Sequence, residues 1–231
     1  MRNLQESTTL GLVAGLGVGA GIFYYRSLVS AHLARGLSPH IVMVHAEVRK
    51  VMALAAAHET RHLADYLGGL LRQLAGAGAQ MATIPAFSPQ VCAQELAQIT
   101  PLPLVSLLDA IVREVERRRL NRVAIFGARV TIETGLFGRL RDVAAVVSPL
   151  PAEIDKISGT YKRIVEDEQA SAQDFDDLRS IAHRLIERQQ LDAIVLAGTD
   201  FSFVFGPENT DFPHLDGART HIEAIMQAVA G

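Results

Sequence analysis

Leu10-Gly11-Leu12-Val13-Ala14-Gly15 is an apolar run that ends in a glycine, and a similar run stands at Arg122-Val123-Ala124-Ile125-Phe126-Gly127. Further segments of the chain recur at the same spacing. Pairs that lie 112 positions apart are Gly15 with Gly127, Ala86 with Gly198, and Pro101 with Pro213. A constant offset is the mark of an internal repeat. Residues 9–104 and 121–216 are therefore predicted to form two units of one topology.

The apolar runs alternate with helical patterns along both halves. Continuous apolar runs predict strands that are buried on both faces, at 9–15, 40–45, 80–86, 102–106, 121–127, 143–148, 192–198 and 213–216. Helical spacing predicts helices at 21–35, 57–76, 106–119, 134–142, 152–167, 172–189 and 217–230. This alternation predicts an α/β fold of parallel sheets wrapped by helices.

The repeat predicts how the chain is divided into domains. Residues 1–104 together with 217–231 are expected to form a first lobe, and 105–216 a second, pseudo-symmetric lobe. Each lobe is expected to hold a parallel sheet of about four strands flanked by helices. Ligands of such sheets bind beyond the carboxyl ends of the strands. The sequence therefore predicts a ligand cleft between the lobes.

Composition excludes several classes of function. The chain has 231 residues and a formal net charge of −3, with no basic run, so a nucleic-acid partner is not expected. The only cysteine is Cys92, which excludes an internal disulfide and a thiolate metal cluster. No metal site is predicted.

One segment is long and apolar enough to suggest a membrane helix. Residues 8–25 carry no charge, but five glycines interrupt them, which favours a strand, a turn and a helix start. Arg2 and Glu6 form a poor signal-peptide n-region, and no small-residue cleavage site follows. The sequence predicts a cytoplasmic protein without a membrane partner.

The glycine-rich segment after the first strand suggests an anion site. A loop of this kind offers backbone N–H groups to an anion at a helix N-terminus. Gly15, Gly17 and Ala20 also satisfy the dinucleotide fingerprint, with Glu47 as a late candidate for the ribose-binding acid. The alternative is that the glycines only permit a tight turn, because the matched second half lacks the fingerprint.

Polar residues follow the predicted strands in three places. Ser88 and Thr199 come after the matched apolar runs. Ser88 is predicted to cap the following helix and can contact a ligand in addition, whereas Thr199 can either cap a helix or contact a ligand. His45, Glu47 and Arg49 follow the second strand. A histidine can act as an acid or base near neutral pH, and an arginine can clamp a carboxylate. His45 and Glu47 are therefore predicted catalytic residues, with solvated loop positions as the alternative.

Several segments, taken in order, resemble one known family. They are Gly15-Leu16-Gly17 leading to Tyr24-Tyr25-Arg26, residues 123–137, Leu196 through Asp200, and Leu215 through His221. The chain resembles the aspartate/glutamate racemase family, which includes hydantoin racemases, maleate isomerases and arylmalonate decarboxylases. The resemblance covers essentially the whole chain. It implies the racemase fold, a small carboxylate as ligand, no cofactor such as PLP, and a homodimer.

The resemblance also shows where this chain departs from the family. Family racemases place a catalytic cysteine at each of two matched strand ends, and those positions are Ala86 and Gly198 here. Neither residue can give or take a proton, so the two-thiol mechanism is not expected. Cys92 lies six residues past Ala86, where a catalytic role would require an electropositive, partly exposed environment.

Three readings of the function remain open from the sequence. The first is a cofactor-independent isomerase or lyase that acts on a small carboxylate, with His45, Glu47 or Asp200 handling protons and main-chain N–H groups near Ser88 and Thr199 polarising the substrate. The second is a degenerate family member that binds a small acid without turnover. The third is a nucleotide-binding protein. The predicted substrate-binding residues are Gly15, Gly17, Arg49, Ala86, Phe87, Ser88, Thr131, Gly198 and Thr199.

Overall fold

The computed structural model describes residues 5–230, and these divide into two compact units. Unit 1 contains the residues up to Leu107 together with those from His221 onward, and unit 2 contains Leu108–Thr220. Each unit has its own parallel sheet and its own core.

Unit 1 is built around a parallel sheet of three strands. Unit 1 contains five strands in all: β1 (Gln5–Glu6), β2 (Leu10–Ala14), β3 (Leu37–Ser38), β4 (Ile41–His45) and β5 (Met81–Thr83). The sheet has the order β4-β2-β5, while β1 and β3 pair separately. Leu104 continues the sheet beyond β5 through a single parallel bridge to Ala82.

The helices of unit 1 cover this sheet. They are α1 (Val18–Ala34), α2 (Val48–Ala56), α3 (Thr60–Gly76), a 3-10 helix (Ser88–Cys92) and α4 (Ala93–Ile99). Helix α3 supplies much of the core, because Leu63, Leu67, Leu71 and Leu74 recur every three or four residues and are buried. Burial of one such leucine stabilises the fold by about 1.5–3 kcal/mol.

Unit 2 has a parallel sheet of four strands. Its strands are β6 (Arg122–Gly127), β7 (Ala145–Val146), β8 (Ala193–Ala197) and β9 (His214–Asp216), in the order β7-β6-β8-β9. The remaining helices are α5 (Leu107–Arg118), α6 (Arg129–Glu133), α7 (Pro151–Asp167), α8 (Ala172–Gln189), α9 (Phe201–Val204) and α10 (Gly217–Val229). Helix α10 begins in unit 2 and continues into unit 1.

The two sheets share one strand order. In unit 1, β2 lies between β4 and β5, and in unit 2, β6 lies between β7 and β8. All of these pairs are parallel. The predicted α/β fold with helix-flanked parallel sheets is confirmed. Two short strands, β1 and β3, were not predicted because each has only two residues.

Two predicted elements differ from the structure for local reasons. The predicted helix at 134–142 does not form, since Gly135, Leu136, Phe137 and Gly138 all have φ between 56° and 72°. Four successive residues in this region cannot continue a right-handed helix. The predicted strand at 102–106 is reduced to the one bridge at Leu104, because Pro101 and Pro103 have no N–H to donate.

The apolar segment at 8–25 contributes to β2, the glycine turn and the start of α1. Within residues 5–230, no helix is both long enough and apolar enough to span a membrane.

A buried polar network joins α1, β5 and α10 inside unit 1. Nδ1 of His221 lies 3.0 Å from the Tyr24 hydroxyl, and Nε2 lies 2.9 Å from both the Thr83 hydroxyl and the Val105 carbonyl. Because a carbonyl only accepts, Nε2 carries the proton and Nδ1 accepts from Tyr24. Burial lowers the pKa of His221 to about 4, so its ring is neutral at physiological pH.

Candidate functional site

The glycine turn of unit 1 lies directly against the end of β4. Gly15 has a φ of +85°, and a Cβ there would lie 2.6 Å from the Ala46 carbonyl and 2.7 Å from the His45 ring. Only glycine fits this position. The structure therefore brings His45 and Gly15 together, beside a depression of about 220 Å³ whose lining is mostly apolar.

Glu47 has a structural role that the sequence did not predict. It is the N-cap of α2, and its two carboxylate oxygens accept from the N–H groups of Arg49 at 2.9 Å and Lys50 at 2.7 Å. Such caps stabilise a helix by about 1 kcal/mol. Catalysis by Glu47 stays a prediction, and this carboxylate would have to leave the cap to bind a ribose. Arg49 is exposed on the first turn of α2.

The end of β5 is closed by a nearby side chain. Ala86 and Phe87 are buried, and the Gln90 amide donates to the Ala86 carbonyl at 2.9 Å. The Ala86 N–H donates to the Ile84 carbonyl at 2.9 Å, so this donor is already used. Ser88 does not cap a helix: it is the first residue of the 3-10 helix, which has no side-chain cap. The predicted helix cap by Ser88 is therefore wrong.

Cys92 is a buried thiol at the end of the same 3-10 helix. Its side chain is fully buried and donates to the Pro89 carbonyl at 3.2 Å. Burial and the nearby charge of Glu95 raise the pKa of the Cys92 thiol to about 12. A thiol in this environment is a poor nucleophile and a poor base.

The end of β8 in unit 2 is filled by an aromatic ring from another helix. A Cβ on Gly198 would lie 2.7 Å from Cζ and 2.9 Å from Cδ2 of Tyr161, which α7 contributes. The space that a side chain at position 198 would need is therefore occupied by the tyrosine ring. The same ring packs on Phe201, with 4.9 Å between ring centroids.

Three polar groups converge at this strand end. Oδ2 of Asp200 accepts hydrogen bonds from the Tyr161 hydroxyl and from the Thr199 hydroxyl, both at 3.3 Å. Thr199 and Asp200 are each 1% exposed, whereas Tyr161 is only partly buried. Burial and the Asp200 charge raise the pKa of Tyr161 well above its ordinary value, so its phenol stays protonated.

Thr131 lies near the end of the neighbouring strand β6. It is fully buried in α6, and its hydroxyl has no hydrogen-bond partner among residues 5–230. An unsatisfied buried hydroxyl costs about 1–3 kcal/mol. Gly127, four positions earlier, has no room for a Cβ because the Ala197 backbone lies against it. This glycine lets β6 and β8 end close together.

Seven of the twelve predicted site residues thus fall into three groups. Gly15 and His45 are in contact, Gly198, Thr199 and Asp200 lie together, and Ala86 and Phe87 are buried beside Gln90. Tyr161 is not among the predicted site residues. Its signal was indirect, because a glycine at 198 indicates that something else occupies the space. In the described part of the chain, no group of three His, Cys, Asp or Glu side chains is placed to hold a metal ion.

The fold and these strand ends define an α/β protein whose site residues follow the carboxyl ends of parallel strands. The family described as Asp/Glu/Hydantoin racemase matches residues 13–225. The chain belongs to this family, as the sequence resemblance predicted.

Several solved structures have a similar fold. A candidate Asp/Glu racemase from Yersinia pestis is 21% identical with a TM-score of 0.82, covering 97% of this chain and 100% of that one. An aspartate racemase homologue from Pyrococcus horikoshii is 16% identical with a TM-score of 0.80 and the same coverage. An arylmalonate decarboxylase is 14% identical with a TM-score of 0.54, covering 97% of this chain and 94% of that one.

Proposed function

We propose that this protein is a cofactor-independent isomerase or lyase that acts on a small carboxylate without a pair of catalytic thiols. The observation that carries this proposal is the cluster at the end of β8, where Thr199, Asp200 and Tyr161 share hydrogen bonds around Gly198. In open α/β sheets, ligands bind beyond the carboxyl ends of the strands. The cluster therefore lies where the ligand of a family member is expected.

The unsatisfied hydroxyl of Thr131 supports a carboxylate ligand. This group has no partner among the described residues, although it is fully buried. A carboxylate oxygen that reached the hydroxyl would accept a hydrogen bond from it and remove the desolvation penalty. Binding of a small acid would therefore relieve a local cost in unit 2.

One set of observations favours the second candidate, a protein that binds a small acid without turning it over. Ala86 and Gly198 carry no titratable group, and the single thiol, Cys92, is buried with a raised pKa. On this alternative Tyr161 fills space and nothing more. The two candidates share the ligand class, so only turnover separates them.

A ligand panel tests the proposal and separates the candidates. The panel contains aspartate, glutamate, a hydantoin and a malonate, with a nicotinamide dinucleotide for the nucleotide alternative. Thermal-shift measurements detect binding. Proton NMR in heavy water then detects α-proton exchange, elimination or decarboxylation of each compound that binds. Binding with turnover supports the proposal, binding without turnover supports the second candidate, and no binding of any acid contradicts both.

A pair of variants checks the placement of the ligand. Thr131→Val keeps the side-chain shape and removes the hydroxyl, so it is expected to weaken binding of the best acid about tenfold. Thr134→Val, an exposed position just after α6, serves as the matched control and is expected to leave binding unchanged. If the two variants bound the acid with equal affinity, Thr131 would not contact the ligand. The homodimer implied by the resemblance is measured separately, by light scattering.

A further inference from the structure

A groove runs along β7, the outer strand of unit 2, and we refer to it as the β7 groove. It has a volume of about 370 Å³ and is lined by residues 132–135 and 144–146 together with Gly138, Arg141 and Ser148. Pockets that bind small molecules begin at about this size. No residue of the cluster at the end of β8 belongs to this lining. The β7 groove is therefore distinct from the site described above.

A left-handed turn forms one wall of the groove. Gly135 and Gly138 line the groove at the two ends of this turn, and a Cβ on Gly135 would lie 3.8 Å from Val146 of β7. Between them, Leu136 and Phe137 also have positive φ, which is unfavourable for residues with a Cβ. Leu136 is fully buried and anchors the turn in the core. Such backbone persists where packing fixes it and concentrates at ligand sites.

The strand edge at the groove offers backbone hydrogen-bonding groups. The N–H groups of Ala145 and Val147 donate to the carbonyls of Asn121 and Val123, each at 2.8 Å. Val146 lies between them, so its N–H and C=O point away from β6. Within residues 5–230, no strand pairs with this side of β7. An extended peptide can add to an exposed edge of this kind.

The groove also carries one group of each charge. A Cβ on Gly138 would lie 3.7 Å from Nη2 of Arg141. The Arg141 guanidinium has no ion-pair or hydrogen-bond partner among residues 5–230, whereas Arg139 pairs with Asp109. Glu133 pairs with Arg129 through Oε1 at 2.9 Å, and its Oε2 is not bonded in the described part of the chain.

The hydroxyl groups of the groove are already used. Thr134 donates to the Val130 carbonyl, and Ser148 donates to the Pro149 carbonyl at 3.3 Å. The groups left for a ligand are thus a guanidinium, a carboxylate oxygen and a strand edge. Their charges are complementary to those of a zwitterion that contains a peptide group.

We propose that the β7 groove binds a short peptide of two or three residues with both termini free. The peptide carboxylate pairs with Arg141, the ammonium group with Oε2 of Glu133, and the peptide group with the N–H and C=O of Val146. A free amino acid carries both charges but has no peptide group for the strand edge. This inference is independent of the proposed function, because the two sites share no lining residue.

The test is a titration of the intact, isotope-labelled protein with dialanine and trialanine, followed by amide NMR. Amide signals of residues 132–148 are expected to shift, and exchange of the Val146 N–H with solvent is expected to slow as it gains a partner. Alanine, N-acetyl-dialanine and dialanine amide are the comparison ligands. Each is expected to bind about three- to fivefold more weakly than dialanine, since exposed charge pairs contribute little individually.

Variants assign each terminus to its partner. Arg141→Gln is expected to weaken dialanine binding about three- to fivefold but to leave binding of dialanine amide unchanged, because the amide has no carboxylate. Glu133→Gln is expected to weaken dialanine binding similarly and to leave N-acetyl-dialanine unaffected. Arg113→Gln, at an exposed position on α5, is the matched control and is expected to bind dialanine like wild type. Thermal unfolding checks that each variant is folded.

Several outcomes would overturn the inference. These are the absence of shifts in residues 132–148, equal binding of dialanine and its two blocked forms, and wild-type affinity in Arg141→Gln. Binding of alanine as tightly as dialanine would exclude a role for the peptide group. Shifts confined to the end of β8 would also overturn it, and would leave the proposed function standing.

Discussion

The ends of β5 and β8 occupy matching places in two sheets of the same strand order, yet they are completed in different ways. At the end of β5, the buried Ala86 is held by the amide of Gln90, four residues further along the chain. At the end of β8, Gly198 is covered by Tyr161 from α7. One end is thus closed by a local contact and the other by a long-range contact.

This difference shows that a repeated fold does not imply a repeated site. The closure at β5 presents backbone carbonyls that are already paired, whereas the closure at β8 presents a phenol and a carboxylate. Unit 2 therefore holds the titratable groups at its strand end. The experiments below test this difference between the ends of β5 and β8, and the one with the largest expected effect comes first.

The first concerns the thiol nearest to the end of β5. With a pKa of about 12 instead of the ordinary 9.0, native Cys92 has about 1,000-fold less thiolate at neutral pH than an unfolded chain. Alkylation by iodoacetamide is expected to be slower by at least this factor in buffer than in denaturing urea. Rapid labelling of the native protein, detected by mass spectrometry, would show that Cys92 is reactive and would contradict its raised pKa.

The second concerns the buried network in which His221 contacts Thr83 of β5. Buried His221 is neutral in the folded chain with a pKa of about 4, while the ordinary value is 6.5. The unfolded chain binds the additional proton between these values, so stability falls as pH falls from 6.5 to 4, by about 3 kcal/mol in total. Urea denaturation at pH 7 and pH 4 measures this loss.

His221→Gln isolates the histidine contribution to that loss. The variant is less stable at every pH, but it lacks the titrating ring, so its loss between pH 7 and pH 4 is expected to be about 3 kcal/mol smaller. In unit 2, arginine hydrogen bonds lower the pKa of Glu114 from 4.5 to about 2. The stability that this lowered pKa contributes is present above pH 4.5 and is lost only as the pH falls towards 2. An identical pH dependence for wild type and variant would contradict the assigned role of His221.

The third places a cysteine at each strand end. Gly198→Cys must displace the Tyr161 ring and is expected to lower the free energy of unfolding by about 2 kcal/mol. Ala86→Cys adds one atom to an existing side chain and is expected to cost about 1 kcal/mol. Gly159→Ala on α7, where nothing lies within 4 Å, is the control and is expected to be neutral or stabilising.

A double-mutant cycle tests the cause of the Gly198→Cys penalty. Tyr161→Ala removes the ring, so adding Gly198→Cys to that variant is expected to cost at least about 1 kcal/mol less than in wild type. Additive effects of the two changes would show that the ring and position 198 do not compete for space.

The smallest effect concerns the local closure at β5. Gln90→Ala removes the amide that donates to the Ala86 carbonyl and is expected to lower stability by about 1 kcal/mol. Gln73→Ala, on an exposed face of α3, is expected to change stability by less than about 0.5 kcal/mol. If the two variants were equally stable, the Gln90 contact would not hold this strand end.

Much of the fold could be predicted because its elements are encoded locally. The runs that became β2, β4, β6 and β8 are continuous and apolar, and the helix at 172–189 has the predicted bounds. The failures were also local in origin. Left-handed residues at 135–138 prevented the helix that was predicted at 134–142, and prolines reduced the strand at 102–106 to one bridge.

The candidate site was predictable only in part. The resemblance pointed to Gly198, Thr199 and Asp200, which the structure brings together with Tyr161. It could not show that Glu47 caps α2 or that Cys92 is buried, because capping geometry and burial depend on backbone placement. The contact between Tyr161 and Gly198 was not predicted for the same reason, since nothing in the spacing of α7 relates Tyr161 to position 198.

The sequence by itself determined the repeat, the α/β class and the family, because periodicity and residue identity are written along the chain. Only the tertiary structure decided which side chain lies beside Gly198. The space beside Gly198 is filled by a ring from a distant helix, and the acidity of that phenol depends on its burial and on the carboxylate of Asp200. Both are properties of packing in three dimensions, which residue order alone does not specify.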